Sequence, residues 1–426
     1  MTTSLLAICV GLCSSATFDP VGTAPQSPPL VASASLSPRE KAALASQRAI
    51  AFLRAAQDPK LGAWGVRDGV AAFPAYTGLA LTGLLLQPDL KPDDPAIARA
   101  ITYILSAQKP DGGIYTQALP SYNTAICLAA LARIPNPDQK TRDAIRAAQN
   151  FLKSIQYSEF VTPNPSLGEA PSPVQKDHAF YGGWGYGRHG RPDLSNTQWA
   201  LEALHESGLP PDDPAFQRAM VFLQRCQMVD SVNEMHYADG SSQGGFIYAT
   251  SENKDTIGSG QSFAGTIEET LSDGTKASRL RCYGSMTYAG FKSYLYAGLT
   301  KNDPRVKAAL GWIGENYTLR ENPGLGTDGL YYYYVTFARA LAASEMTSLP
   351  ITRLDGSAVP AGTTRQWAAD LVDRLVELQQ ADGSFKALDD RWLENDPVLL
   401  TAYSLLALGH AMPSIPETNV NNTPAK

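Results

Sequence analysis

A nine-residue helical segment recurs along this chain, and each copy is followed by a second, more apolar helix. The copies are AIAFLRAAQ ending at Gln57, AITYILSAQ at Gln108, AQNFLKSIQ at Gln156, AMVFLQRCQ at Gln227, ALGWIGENY at Tyr317 and LVDRLVELQ at Gln379. Apolar residues at three- and four-residue spacing, such as Ile101, Ile104 and Leu105, mark amphipathic helices. The partners begin YTGLALTGL at Tyr76, NTAICLAAL at Asn123, NTQWALEAL at Asn196, MTYAGFKSYL at Met286, YVTFARAL at Tyr334 and LTAYSLLAL at Leu400. They are small and apolar nearly all round, which suits a helix buried on every side. Six such pairs, without sheet signals, predict an all-α chain of about twelve core helices, open as a solenoid or closed as a ring. The buried character of every second helix favours closure, with one layer inside another.

Each pair is joined through a turn of glycine, aspartate and an aromatic or aliphatic residue, as in Asp111-Gly112-Gly113-Ile114-Tyr115 and Asp382-Gly383-Ser384-Phe385. Glycine permits the positive φ of a tight reversal. The glutamine before the turn is placed to bond backbone groups at the next helix end and tie neighbouring units together. The fullest copy runs from Tyr181 to Leu204, a loop (YGGWGYG), a polar cap (Ser195-Asn196-Thr197) and a buried helix through Trp199.

Two units carry long insertions, Tyr157 to Phe180 and Met228 to Cys282; a shorter excursion spans Ser348 to Thr363. Insertions in a repeat fold gather on one face and often build or cover a site. The expected organisation is a signal peptide over 1–18, a linker rich in Pro, Ser and Ala over 19–37, the helical repeats over 38–413 and a disordered tail over 414–426. The leader reading rests on the apolar run Leu5 to Leu12 before Ala16, although no Lys or Arg precedes it. It implies a periplasmic or secreted protein, with a cytoplasmic one as the alternative. Ser37-Pro38-Arg39-Glu40 reads as a helix start.

The net charge of −6 leaves no basic footprint for nucleic acid. No run is long and apolar enough for a membrane span. Cys127, Cys226 and Cys282 read as isolated buried thiols, and the five histidines have no metal-ligand spacing. No metal or other cofactor is expected.

The Gln-x-x-Asp-Gly-Gly/Ser-x-Tyr/Phe turns followed by Thr-Ala helices resemble those of the squalene-cyclase and protein-prenyltransferase repeat superfamily, over about residues 41–411. The resemblance implies an (α/α)6 toroid of six helix-hairpin repeats with a central, largely apolar cavity. In the cyclases of that superfamily an Asp-x-Asp-Asp-Thr-Ala motif carries the proton donor. The matching stretch here is Asp193-Leu194-Ser195-Asn196-Thr197-Gln198, in which Asp193 and Thr197 survive and the donor position is Ser195. Neither Ser195 nor Asn196 can protonate an alkene, and Asp193, Ser195 and Asn196 read as helix caps. Of the prenyltransferase zinc ligands only the cysteine has a counterpart, Cys282; the Asp and His positions hold Leu280 and Leu400.

Candidate ligand-binding residues are Trp184, Tyr186, Trp199, Tyr331, Tyr332, Tyr333 and Trp392, aromatics that can wall a cavity. Asp328, Asp389 and Asp390 are weak catalytic candidates among the rim acids, which also include Asp239, Glu268, Glu269, Glu394 and Asp396. Three readings stay open: a toroid binding an apolar, lipid-like or extended small-molecule ligand; a terpenoid cyclase or transferase acting through unidentified residues; and an exported toroid that binds or processes glycan or peptide, for which two opposed carboxylates would be diagnostic.

Overall fold

A computed structural model describes residues 36–67, 69–71, 73–160, 173–187, 190–271 and 274–416. The expected leader, most of the linker, the centre of the first insertion and residues 417–426 lie outside them. Twelve helices alternate between two layers. The inner ones are α2 (Pro74–Leu85), α4 (Pro120–Ala132), α6 (Leu194–Glu206), α8 (Gly284–Tyr296), α10 (Leu330–Ala343) and α12 (Pro397–Ala411). Each packs on the next, and α12 returns to α2, so the ring closes as the buried second helices predict. The outer ones are α1 (Pro38–Ala56), α3 (Pro95–Ser106), α5 (Gln139–Ser154), α7 (Pro214–Cys226), α9 (Pro304–Glu315) and α11 (Trp367–Leu378). The fold is an all-α (α/α)6 toroid. Among the described residues no helix is long and apolar enough to cross a membrane.

The recurring turn explains the closure. Gln57 Nε2 donates to Gly62 O (2.9 Å) in its own turn and to Ala96 O (2.8 Å) on the next outer helix. Gln108 joins Gly112 to Ala144, Gln156 joins Gly182 to Ala215, and Gln227 joins Gly244 to Arg305 in the same way. Gln379 reaches Gly383 and then Ala45 of α1, which ties the last unit to the first. Where the fifth unit has Tyr317, its hydroxyl donates to Asp370 of α11 at 2.6 Å and makes the same link with a different side chain. At about 1 kcal/mol net for each bond, this stitching adds several kcal/mol around the ring. A threonine completes the unit in four of the six inner helices. Thr77, Thr124, Thr197 and Thr287 accept the turn N–H of Trp64, Ile114, Trp184 and Phe246 at 2.8–3.1 Å.

Glycine is required where the turn touches the next outer helix. Gly182 has φ +86°, and a Cβ there would lie 2.0 Å from Arg218 O. Ser37 caps α1 with a reciprocal bond to Glu40, as the Ser-Pro start predicts. Ile415 is buried, and Arg39 Nη2 donates to its carbonyl, so the ordered toroid runs past the boundary expected at 413. The chain also contains short antiparallel ladders unseen in the sequence pattern. One pairs Thr266–Thr270 with Lys276–Leu280 inside the second insertion; two shorter ones occupy the excursion after α10. Cys127, Cys226 and Cys282 are unpaired and buried.

Candidate functional site

The inner helices all begin at one mouth of the ring, and their orphan N–H groups are capped from neighbouring units. Asn123 Oδ1 of α4 accepts from Ala75 at the start of α2 (2.9 Å), and Asn322 Oδ1 accepts from Ser285 at the start of α8 (2.9 Å). Glu394, from the loop before α12, accepts from the N–H groups of Tyr331 (3.0 Å) and Tyr332 (2.8 Å). Asp396 caps its own helix through Val398. Asp193 is the N-cap of α6 and holds both the backbone N–H and the side-chain amide of Asn196. Capping therefore accounts for Asp193, and Asn196 is its partner. Ser195 is no cap. It faces the axis, with its Oγ 3.0 Å from the Tyr332 hydroxyl.

Inside this collar an aromatic cluster forms a pit only in its layering, the upper side chains partly exposed and the lower ones buried. Tyr76, Tyr122, Ser195 and Tyr332, from the first turns of four inner helices, are partly exposed. Beneath them Trp199 stands edge-on to Tyr122 (centroids 6.4 Å, 89°) and tilted to Tyr332 (6.4 Å); Tyr332 meets Tyr403 at the same separation. The hydroxyls of Tyr122 and Tyr403 are hydrogen-bonded. The second insertion lays Tyr248 and Phe263 over the rim, ring on ring at 4.5 Å, and Phe263 continues to Trp392 at 5.6 Å. Trp392 is 43% exposed and Tyr186 is 41% exposed. The guanidinium of Arg391 lies 4.3 Å from the centre of the Trp392 ring and pairs with Asp328.

The expected site residues thus separate. Tyr186, Trp199, Tyr332 and Trp392 come together at the mouth. Trp184, Tyr331 and Tyr333 do not, which corrects their assignment as ligand-binding residues. Trp184 plugs the seam between units and donates its indole N–H to Leu152 O (2.8 Å). Tyr331 and Tyr333 point outward, their hydroxyls held by Lys386 O and Thr318 O. Successive helical residues turn by about 100°, so only one of four adjacent tyrosines can face the axis. Asp328 is held by Arg391, Asp389 accepts from the Arg391 N–H, and Asp390 is exposed at the start of a 3-10 turn.

Two acids at this mouth hold protons unusually tightly. Burial pushes the Asp193 carboxyl up to about 6, against the Asn196 N–H that favours its charge. Burial pushes Glu394 up to about 7, although two backbone N–H groups oppose the shift.

Below the pit the ring is closed by charge. Glu202 (1% exposed) pairs with Lys292 (0%) and Arg339 (2%), brought together by α6, α8 and α10. Lys292 Nζ also donates to Gln198 Oε1 (2.6 Å), and Gln198 donates to the Tyr332 hydroxyl (3.2 Å), linking this plug to the pit. The Arg339 guanidinium stacks 4.7 Å from the centre of the Trp199 ring. Burial works against the charge of Glu202, but Arg339 and Lys292 outweigh it and hold the carboxyl below its usual range. Glu202 is thus a counter-ion and a poor proton donor. The expected apolar-aromatic interior is therefore aromatic only at the mouth and ionic beneath it. The sequence signal for the plug was present: Lys292 and Arg339 are each the lone charge of an inner helix.

A model of the squalene-hopene cyclase C-terminal domain matches residues 77–253, from α2 into the second insertion. No curated protein matches the chain in sequence. Among solved structures, a variant of the type II terpene cyclase MstE from Scytonema, in complex with geranylgeranyl dihydroxybenzoate, is 14% identical. It has a TM-score of 0.50 over 88% of this chain and 99% of that one. The alpha-1,6-mannanase of Salegentibacter sp. is 9% identical, with a TM-score of 0.53 over 88% of this chain and 100% of that one. At such identities the likeness is one of fold. The fold and its turns define an (α/α)6 toroid. Over residues 77–253 the chain resembles the squalene-cyclase and prenyltransferase repeat superfamily.

Proposed function

We propose that the toroid binds an extended ligand at the aromatic mouth, and that it does so without alkene protonation from the position of Ser195. One observation carries this reading: Tyr76, Tyr122, Ser195 and Tyr332 are partly exposed at one mouth of the ring, and Tyr122 and Tyr332 pack on the buried Trp199. Aromatic faces with hydroxyls between them suit a ligand that offers a flat apolar face and polar edges. The Glu202 plug limits depth. A long hydrocarbon chain drawn along the axis would have to be buried against three charges, and that desolvation opposes it.

The test is to purify the protein, extract any bound small molecule and identify it by mass spectrometry. Titration of the recovered compound is then followed by tryptophan fluorescence in the native chain and in Tyr332→Ala and Trp392→Ala. Binding weakened by about tenfold or more in both variants supports the mouth as the site. Equal binding in all three proteins overturns it.

A second reading, in which the bound ligand is also processed, is favoured by Glu394. Its carboxyl lies beside Tyr332 and is poised near neutrality, where a general acid or base works well. Glu394→Gln would then abolish turnover while leaving ligand affinity within a few-fold; loss of both together would mark a capping role alone.

We further infer export, from the signal-like run Leu5 to Leu12. N-terminal sequencing of the mature chain tests this, and an intact Met1 in the cytosolic fraction would sink it.

A further inference from the structure

The inner helices end at the opposite mouth, and their last turns gather a second polar cluster that the aromatic pit does not use. Arg133 closes α4, His205 and Glu206 end α6, Tyr296 ends α8, Arg339 lies just before the last turn of α10, and His410 lies in the last turn of α12. Arg133 pairs with Glu206 at 2.9 Å, and both are partly exposed, so the cluster reaches solvent. The His205 ring stacks flat on Tyr296 at 4.0 Å. Arg339 is 2% exposed and connects this cluster to the Glu202 plug.

Charge and hydrogen bonding both leave something over here. Lys292, Arg339 and Arg133 carry three positive charges against two from Glu202 and Glu206. His205 and His410 add none at neutral pH, because burial, reinforced at His410 by Arg339, Arg133 and Lys292, lowers their affinity for a proton. The negative ends of the inner helices explain why cations collect at this mouth. They do not explain the donors. No acceptor among the described residues takes Arg339 Nε or Arg133 Nε, and His410 Nε2 has no partner of either kind. A buried guanidinium N–H without an acceptor is costly, and an oxyanion satisfies it while balancing the surplus charge.

We propose that this far mouth is a binding site for a small oxyanion, a carboxylate or a phosphate group, held by Arg133, Arg339 and His410. The site lies at the other end of the axis from the aromatic pit, and Arg339 is shared between it and the Glu202 plug.

Thermal unfolding of the full chain tests the proposal, with sodium acetate and sodium phosphate titrated separately against sodium chloride at matched ionic strength. The expected result is a saturable rise in midpoint with one of the two oxyanions, the responsive salt distinguishing carboxylate from phosphate. In Arg133→Gln and His410→Phe the half-saturating concentration should rise by about tenfold. Arg133 is partly exposed, so its variant keeps the test open should substitution of Arg339 prevent folding. Identical midpoints in all three salts overturn the proposal. So does an equal rise in the native chain and both variants, because that is the general effect of excluded salts on any folded protein. A crystal soaked in selenate supplies an independent readout: an anomalous peak beside Arg339 supports the site, and ordered water alone at that position overturns it.

Discussion

Replacing Glu202 with Gln should be among the most damaging single changes in the inner ring, and replacing its partner Lys292 with Met should be far milder. Glu202 is the one anion between two fully enclosed cations. Gln at 202 leaves Lys292 and Arg339 facing each other without a counter-charge. Removing one partner of a buried pair in this way costs about 3–5 kcal/mol. Met at 292 leaves the Glu202–Arg339 pair intact and balanced, and it removes an ammonium that burial already pulls down to about 8. Methionine also fills similar volume, so the expected cost is about 1 kcal/mol or less. Unfolding entropy of about 2.1 cal/mol/K per residue gives about 0.8 kcal/mol/K for a toroid of roughly 380 residues. The Gln variant should then melt about 4–6 °C below the native chain, and the Met variant within about 1–2 °C of it. Urea titration followed by circular dichroism measures the free energies, and Trp199 fluorescence reports the plug itself because Arg339 stacks on that indole. Equal damage from the two substitutions would refute the charge-balance reasoning, as would a Gln variant within about 1 kcal/mol of native stability.

Gly182→Ala should destabilise by at least about 3 kcal/mol, because a positive φ and a clash with Arg218 O coincide there. Gly69→Ala, with positive φ and open space, should cost about 1 kcal/mol; equal costs in chemical denaturation would contradict the close-approach account. Gln227→Ala removes the bonds to Gly244 O and Arg305 O and strands the Tyr294 hydroxyl, so a loss of about 2–4 kcal/mol is expected from the urea midpoint. Glu394 holds its proton more tightly when folded, from 4.5 up to about 7, so the native state binds more protons across that window and stability falls as pH rises through it. The shift corresponds to about 3 kcal/mol spread over that window, and Glu394→Gln should remove this contribution to the decline between about pH 4.5 and 7, read from urea midpoints at half-unit steps.

The parts of this molecule that repeat were legible because each copy confirms the others. The glutamines make the same bonds in five units and the threonines in the first four, so their spacing predicts a ring. Tyr317 shows where the pattern has slack: the link to the next outer helix survives because Asp370 supplies an acceptor that the other units lack. The mouth was half legible. An aromatic run beside glycine marks a loop-to-helix junction, but the run itself does not say which of Tyr331 to Tyr334 turns inward; the helical angle and the cap from Glu394 decide that. Pairings such as Glu202 with Lys292 could not be read, since they join inner helices that are adjacent only because the ring closes. The lone charges in α8 and α10 announced that a partner was needed without naming it.

The plug also divides the axis of the toroid. An uncharged axis would present the same apolar environment to a ligand from either mouth. Here Lys292 and Arg339 meet on Glu202 below Trp199, and the two ends of the axis become separate environments. One end is aromatic and capped by acids at helix N-termini; the other is cationic at helix C-termini. Substitutions at either mouth should therefore leave binding at the other unchanged, provided the plug stays intact. Replacing the plug with apolar residues (Glu202→Leu, Lys292→Met and Arg339→Met together) should keep or raise stability, as buried ion clusters exchanged for well-packed hydrophobes often do. It should also abolish oxyanion binding at the far mouth, because Arg339 is one of the groups that hold the anion, while binding at the aromatic mouth persists. Independence of the two sites in the native chain, measured by calorimetric titration of each ligand with and without the other, together with selective loss of the far site in the triple variant, would support the division of the axis at those three side chains; loss of both sites together would refute it.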